Sequence, residues 1–171
     1  MRRIKLNGSN FTLENRASIY FDKPTTILVI DPCYIYDYTK KELDKFWGEF
    51  CDLMFSDKGK EAKIDRVGTL EHKEAKMLYS GTAYGDGSYP VKSNCEQEGE
   101  YAGVDAGMLC VISLEDAKKI NPDTDHYLDL AVVIHDFEGN INADGDGDFE
   151  GDKCFSVVTG DLEDDDDSEE E

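Results

Sequence analysis

Residues 26–34 read Thr26-Ile27-Leu28-Val29-Ile30-Asp31-Pro32-Cys33-Tyr34. The first five are apolar or β-branched, and their number matches one buried strand. Asp31-Pro32 then closes that strand, because proline removes a ladder donor and fixes its own φ. The stretch predicts a central strand whose last turn carries Asp-Pro-Cys-Tyr.

Toward the N-terminus, Ile4 to Leu6 and Phe11 to Phe21 also read as strands. Toward the C-terminus a helix is expected. Thr39 and Glu42 have the spacing of a capping box, and Leu43, Phe46, Trp47, Phe50 and Met54 recur every three or four residues. One aromatic face should therefore pack on the sheet, with Trp47 a packing residue rather than a ligand platform. After a polar link at 56–63, strands are expected at Ala75–Thr82, Tyr89–Val91 and Gly107–Ile112. Ser113 and Asp116 predict the cap of a second, shorter helix that stops before Asn121-Pro122. Leu128–Phe137 reads as the last long strand, and Cys154–Val158 as its hairpin partner across an acidic loop. Strands in runs, not alternating with helices, predict an α+β fold. Its sheet should be mostly antiparallel, of about seven strands, with one amphipathic helix packed on it and a second short helix.

The 171 residues suit one domain with one core, expected over 1–160. Residues 161–171 carry nine acids and no base, which predicts a disordered acidic tail. Removing those nine charges from the formal −21 still leaves −12, so the body is acidic as well. A field of that sign repels nucleic acid and anionic membrane and attracts basic protein surfaces. The five cysteines are odd in number and form no C-x-x-C pair, as expected of reduced thiols in a cytoplasm. No apolar run approaches the 18 residues of a membrane span, and the start lacks the apolar core of a signal peptide.

Three segments place an aspartate beside glycine or proline at a strand end. They are Asp31-Pro32-Cys33-Tyr34, Tyr84-Gly85-Asp86-Gly87-Ser88-Tyr89, and Gly103-Val104-Asp105-Ala106-Gly107. Together, in this order, they resemble segments of an uncharacterised group of phage and bacterial proteins. The resemblance covers roughly residues 25–112 and implies a phage-type provenance; it implies no activity, and the acidic tail departs from that group's plain C-terminus.

Chemistry at these segments would be that of a small hydrolase or transferase. Cys33 would be the nucleophile, His135 the base, and Asp86 or Asp105 the orienting acid. Against this, a nucleophilic cysteine needs a cationic surrounding, which an acidic protein does not favour, and a lone cysteine after a buried strand is usually a small hydrophobe. The aspartates likewise serve as hydrogen-bond acceptors within their own turns.

A further segment, from Asn140 to Glu150, begins like a calcium loop. Asn140, Asn142, Asp144 and Asp146 supply oxygen ligands, yet the twelfth position is Gly151, where a bidentate glutamate belongs. At most weak calcium or magnesium binding is expected, and no other cofactor.

The acidic composition points to binding. The expectation is an acidic cytoplasmic protein, a phage-type inhibitor or nucleic-acid mimic that occupies a positively charged surface of a host or defence protein. The carboxylates expected to carry that contact are Asp144, Asp146, Asp148, Glu150 and Asp152 in the hairpin. Asp164, Asp165, Asp166 and Asp167 would extend it into the tail.

Overall fold

A computed structural model describes residues 2–6, 9–13, 17–37, 39–55, 67–82, 87–105, 108–144 and 147–159, with backbone alone for 2–6, 9–13 and 52–55. Strands β1 (Arg2–Leu6), β2 (Ser9–Leu13) and β3 (Ala17–Ile30) lead into a one-turn helix α1 (Pro32–Ile35) and the long helix α2 (Lys41–Phe55). Then come β4 (Val67–His72), β5 (Ala75–Gly81), β6 (Gly87–Lys92), β7 (Gln97–Glu98), β8 (Tyr101–Val104) and β9 (Met108–Ser113). Helix α3 (Leu114–Ile120) and two 3-10 turns precede β10 (Val132–Ala143), β11 (Phe149–Gly151) and β12 (Ser156–Val157).

Every strand pairing is antiparallel. The strand order is β1-β2-β4-β5-β9-β3-β10-β11-β12-β6-β8, with β7 beside β10. The α+β expectation holds, but the described residues contain twelve strands, and about seven had been expected. Ten of them exceed two residues, since only β7 and β12 are that short.

The central strands are buried on both faces, and this explains their unbroken apolar runs. Along β3, Leu28 and Ile30 join the core beneath the helices, while Ile27 and Val29 join a second core beneath β6, β8, β11 and β12. Strand β9 divides in the same way, with Cys110 and Ile112 on the helical side and Leu109 and Val111 on the other. Each such side chain contributes about 1.5–3 kcal/mol on leaving water. The result is three layers, with helices on one side of a central sheet and the returning short strands on the other.

The helices cover only half of that sheet. In the first half of β3, Ala17 and Ile19 are buried in the second core, while Ser18, Tyr20 and Asp22 on the opposite face are exposed. Strand β10 repeats the pattern, with Ile141 buried and Glu138 and Asn142 exposed. An uncovered polar sheet face results.

Helix α2 presents the predicted aromatic face. Trp47 is half-buried and stacks on Tyr36 with ring centroids 5.4 Å apart, so its role is packing. Met54 lies where only the backbone is described. The Thr39–Glu42 expectation needs correction, because the Thr39 hydroxyl donates to Asp37 Oδ1 at 2.7 Å and the helix starts at Lys41. The Thr39 backbone N–H also bonds Asp37 Oδ1, at 2.9 Å, and these two Thr39 bonds, led by the backbone one, hold the Asp37 carboxyl below the usual range. The second cap is as expected: Ser113 Oγ accepts the Asp116 N–H at 3.0 Å, and α3 ends at Ile120.

Further corrections concern the last strands. Leu128–Leu130 forms a 3-10 turn held by Leu130 N–H to Tyr127 O at 3.0 Å, so the long strand runs from Val132 to Ala143. Its hairpin partner is β11, because Phe149 brings an aromatic side chain into the second core opposite Ala143. The expected partner segment supplies β12, which pairs with β11 and β6. The expected single strand over Phe11–Phe21 divides between β2 and β3. The link at 56–63 and the tail at 161–171 lie outside the described residues. No helix among the described residues is long and apolar enough to cross a membrane.

Candidate functional site

Two of the three aspartate segments, those of Asp31 and Asp105, meet at one end of the central sheet. Asp31 follows the last residue of β3 and is wholly buried. Its Oδ1 accepts the Cys33 N–H at 2.9 Å, which caps α1, and its Oδ2 accepts the Asp105 N–H at 2.8 Å. The Tyr34 hydroxyl donates to Asp105 Oδ2 at 2.5 Å. Strand β6 starts at Gly87, which pairs with Val104, the residue before Asp105. The backbone thus brings Gly87 close to the same junction, and Tyr84, Gly85 and Asp86 lie outside the described residues.

The chemistry of this junction opposes a thiolate. Burial raises the Cys33 thiol far above its ordinary value, and the neighbouring Asp31 and Asp105 raise it further. Both charged groups acting on the thiol are anionic, the reverse of what a cysteine nucleophile requires. His135 is elsewhere. It follows Ile134, which pairs with Ile27, and this places it more than about 10 Å along the sheet from the Asp31 end of β3. Its Nε2 lies 2.6 Å from Glu98 Oε2, and its backbone N–H bonds Glu96 O, so it ties β7 to β10. The structure brings Cys33 and Asp105 together and leaves His135 out.

A second buried polar network supports α1 from below. Asn121 is fully buried, donates from Nδ2 to Ile35 O at 3.0 Å, and offers its own carbonyl to the Tyr127 hydroxyl at 2.7 Å. Sequence reading missed this role and took Asn121-Pro122 only as a helix stop.

The hairpin carboxylates divide into two groups. Asp144 Oδ1 accepts the Asp148 N–H at 3.4 Å, and Asp148 Oδ1 accepts the Thr159 N–H at 2.8 Å, so both have local turn roles. Glu150 and Asp152 are exposed on the uncovered sheet face. Of the calcium-like set, the Asn140 side chain donates to Asn142 Oδ1 at 3.0 Å, and Asp146 lies outside the described residues. Among the described residues, no group of three or more His, Cys, Asp or Glu side chains is placed to hold a metal ion. Asp164 to Asp167 also lie outside the described residues.

The register turns the uncovered face into two rows. One runs Ser18, Asn142, Glu150, Ser156 and Lys92 across five strands. The other runs from Tyr20 to Asn140 and on to Asp152, whose N–H bonds Asn140 O at 2.9 Å. Tyr20 is 67% exposed, the largest exposure among the large hydrophobic side chains described. Asp22 and Glu138, both exposed, lie beside it along β3 and β10, where the register between the two strands shifts. Tyr20, Asp22 and Glu138 escaped the sequence reading, although the alternation Ser18-Ile19-Tyr20-Phe21-Asp22 carried the signal.

Comparison of the chain with models of known families, with curated proteins and with solved structures finds no match.

Proposed function

We propose that this chain is a binding protein that engages a positively charged protein surface, acting as an inhibitor or nucleic-acid mimic directed against a host or defence protein. The observation that carries this reading is the uncovered sheet face. It presents Asp22, Glu138, Glu150 and Asp152 around an exposed tyrosine, and among the described residues none of the four is in an ion pair. Exposed carboxylates spaced over several strands give long-range attraction to a basic surface and a weak contribution each on contact. The tail, if it joins them, adds nine further charges.

The convergence of Asp31, Cys33 and Asp105 favours a second reading as a small hydrolase or transferase. The raised thiol and the distance of His135 weigh against it.

The test is competition. The protein is used to recover a basic nucleic-acid-binding partner from a bacterial lysate, and duplex DNA is then added. Release of the protein by DNA at matched phosphate concentration is the expected result. A partner that holds the protein and DNA together, without mutual displacement, contradicts mimicry.

A further inference from the structure

We propose that the outer edge of β8 takes up an extended segment of the basic partner as an added strand. This rests on the reading above and names the form in which that partner is held.

Strand β8 stands last in the strand order and pairs with β6 alone. Val91 N–H bonds Glu100 O at 2.9 Å, so Glu100, Ala102 and Val104 turn their main-chain groups toward β6. The alternate residues Tyr101 and Gly103 turn theirs the other way. Asp105 obeys the same alternation, and its N–H is taken by Asp31 Oδ2 at 2.8 Å. Among the described residues, nothing takes the outward groups of Tyr101 and Gly103. Their amides and carbonyls form an open ladder, which an extended chain completes.

Tyr101 and Gly103 also face away from the second core, which Ala102 and Val104 enter. Tyr101 is 63% exposed, and a Cβ at Gly103 would meet open space. A large side chain on the added strand therefore finds room over Gly103, beside the tyrosine ring. This side is continuous with the uncovered sheet face, because Pro90, opposite Tyr101, shares the outer side of β6 with Lys92 at the end of one polar row. A partner lying on the acidic rows thereby reaches the edge.

Charge selects the occupant. Residues 96–105 hold four acids and no base, with Glu100 and Asp105 exposed at the two ends of β8. A second copy pairing its own β8 here would set these acids against each other, and like charges on neighbouring strands oppose pairing. An extended segment with lysine or arginine at alternate positions is attracted instead.

The test is titration of the full chain at low salt with an octapeptide of alternating lysine and threonine, beside the same peptide methylated at every amide nitrogen. The two carry equal charge, and methylation removes the main-chain donors. The unmethylated peptide is expected to bind about tenfold more tightly, with shifted and more slowly exchanging amide resonances at Tyr101 and Gly103. Gly103→Pro, which deletes one outward donor at an edge position, should erase most of that preference, and thermal melting checks that the variant is folded. Equal affinity for the two peptides overturns the pairing and leaves the basic-partner reading standing. Binding to neither overturns both. A preference that leaves the Tyr101 and Gly103 resonances unmoved places the added strand elsewhere and overturns this assignment. Self-association of the chain alone, lost in Gly103→Pro, makes a second copy the occupant and also overturns it.

Discussion

The carboxylate of Asp31 accepts the main-chain N–H of Asp105, 74 residues further along the chain, at 2.8 Å. Its other oxygen accepts Cys33 N–H, so one buried side chain joins the end of β3, the start of α1 and the loop after β8. A buried carboxylate that satisfies two backbone donors is costly to remove, because both donors are then left unpaired. Asp31→Ala should destabilise the fold by about 2–4 kcal/mol in urea unfolding, and Asp31→Asn by less, since one acceptor oxygen remains. Equal stability of all three proteins would show that the junction does not depend on this carboxylate.

Cys33 should react slowly. Because burial and two anions raise its thiol, alkylation by iodoacetamide near neutral pH should modify the exposed Cys154 first. Cys33 should lag by about tenfold or more, as its thiolate is scarce. Mass spectrometry of a time course reads this directly. Rapid alkylation at Cys33 would restore the enzymatic reading.

His72 sets a pH dependence. It is sandwiched in the aromatic cluster, 3.9 Å from the Phe46 ring, with Nδ1 2.9 Å from the Tyr36 hydroxyl. Burial, helped by Lys73, pushes its pKa down to about 4. The unfolded chain therefore takes up the proton first, near the ordinary value of about 6.5. Stability from this residue is complete above that value and is lost as pH falls toward 4. Between pH 7 and 4.5 the wild type should lose about 1–2 kcal/mol more than His72→Gln, after discounting for the half-exposed ring. Parallel stability curves for the two proteins would contradict this.

Gly139→Ala should disturb the turn at 152–155. The new Cβ meets the Asp152 side chain at a backbone angle unfavourable to any L side chain. A loss of about 1–3 kcal/mol is expected, together with shifted amide resonances at Asn140 and Asp152. Wild-type stability with an unchanged spectrum would show that Asp152 is not packed against Gly139.

The sheet was legible where local pattern and burial agree. The run 26–30 announced a doubly buried strand, Ser113 announced a helix cap, and the aromatic repeat from Leu43 to Phe50 announced the packed face of α2. Strands β4, β7 and β8 were not legible, because they are short and take their definition from partners such as β5 and β10. The boundary of β10 was misplaced because Leu128 and Leu130 carry strand-like side chains in a 3-10 turn, and only tertiary contacts decide between the two. At the candidate site, Glu150 and Asp152 could be named from charge alone. For Tyr20 and Asp22 the alternation from Ser18 to Asp22 shows which residues share a face, but whether that face is exposed follows from how far the helices extend over the sheet, as it does for Glu138.

The most direct measurement is the affinity of the recovered basic partner for wild type and for a Glu138→Gln/Glu150→Gln/Asp152→Asn variant at about 50 and 500 mM salt, where exposed charges are respectively little and strongly screened. The account predicts tight binding by wild type at low salt, a steep loss at high salt, and marked weakening of the variant at low salt. Affinity that is indifferent to both salt and these three substitutions would contradict an acidic sheet face as the binding surface.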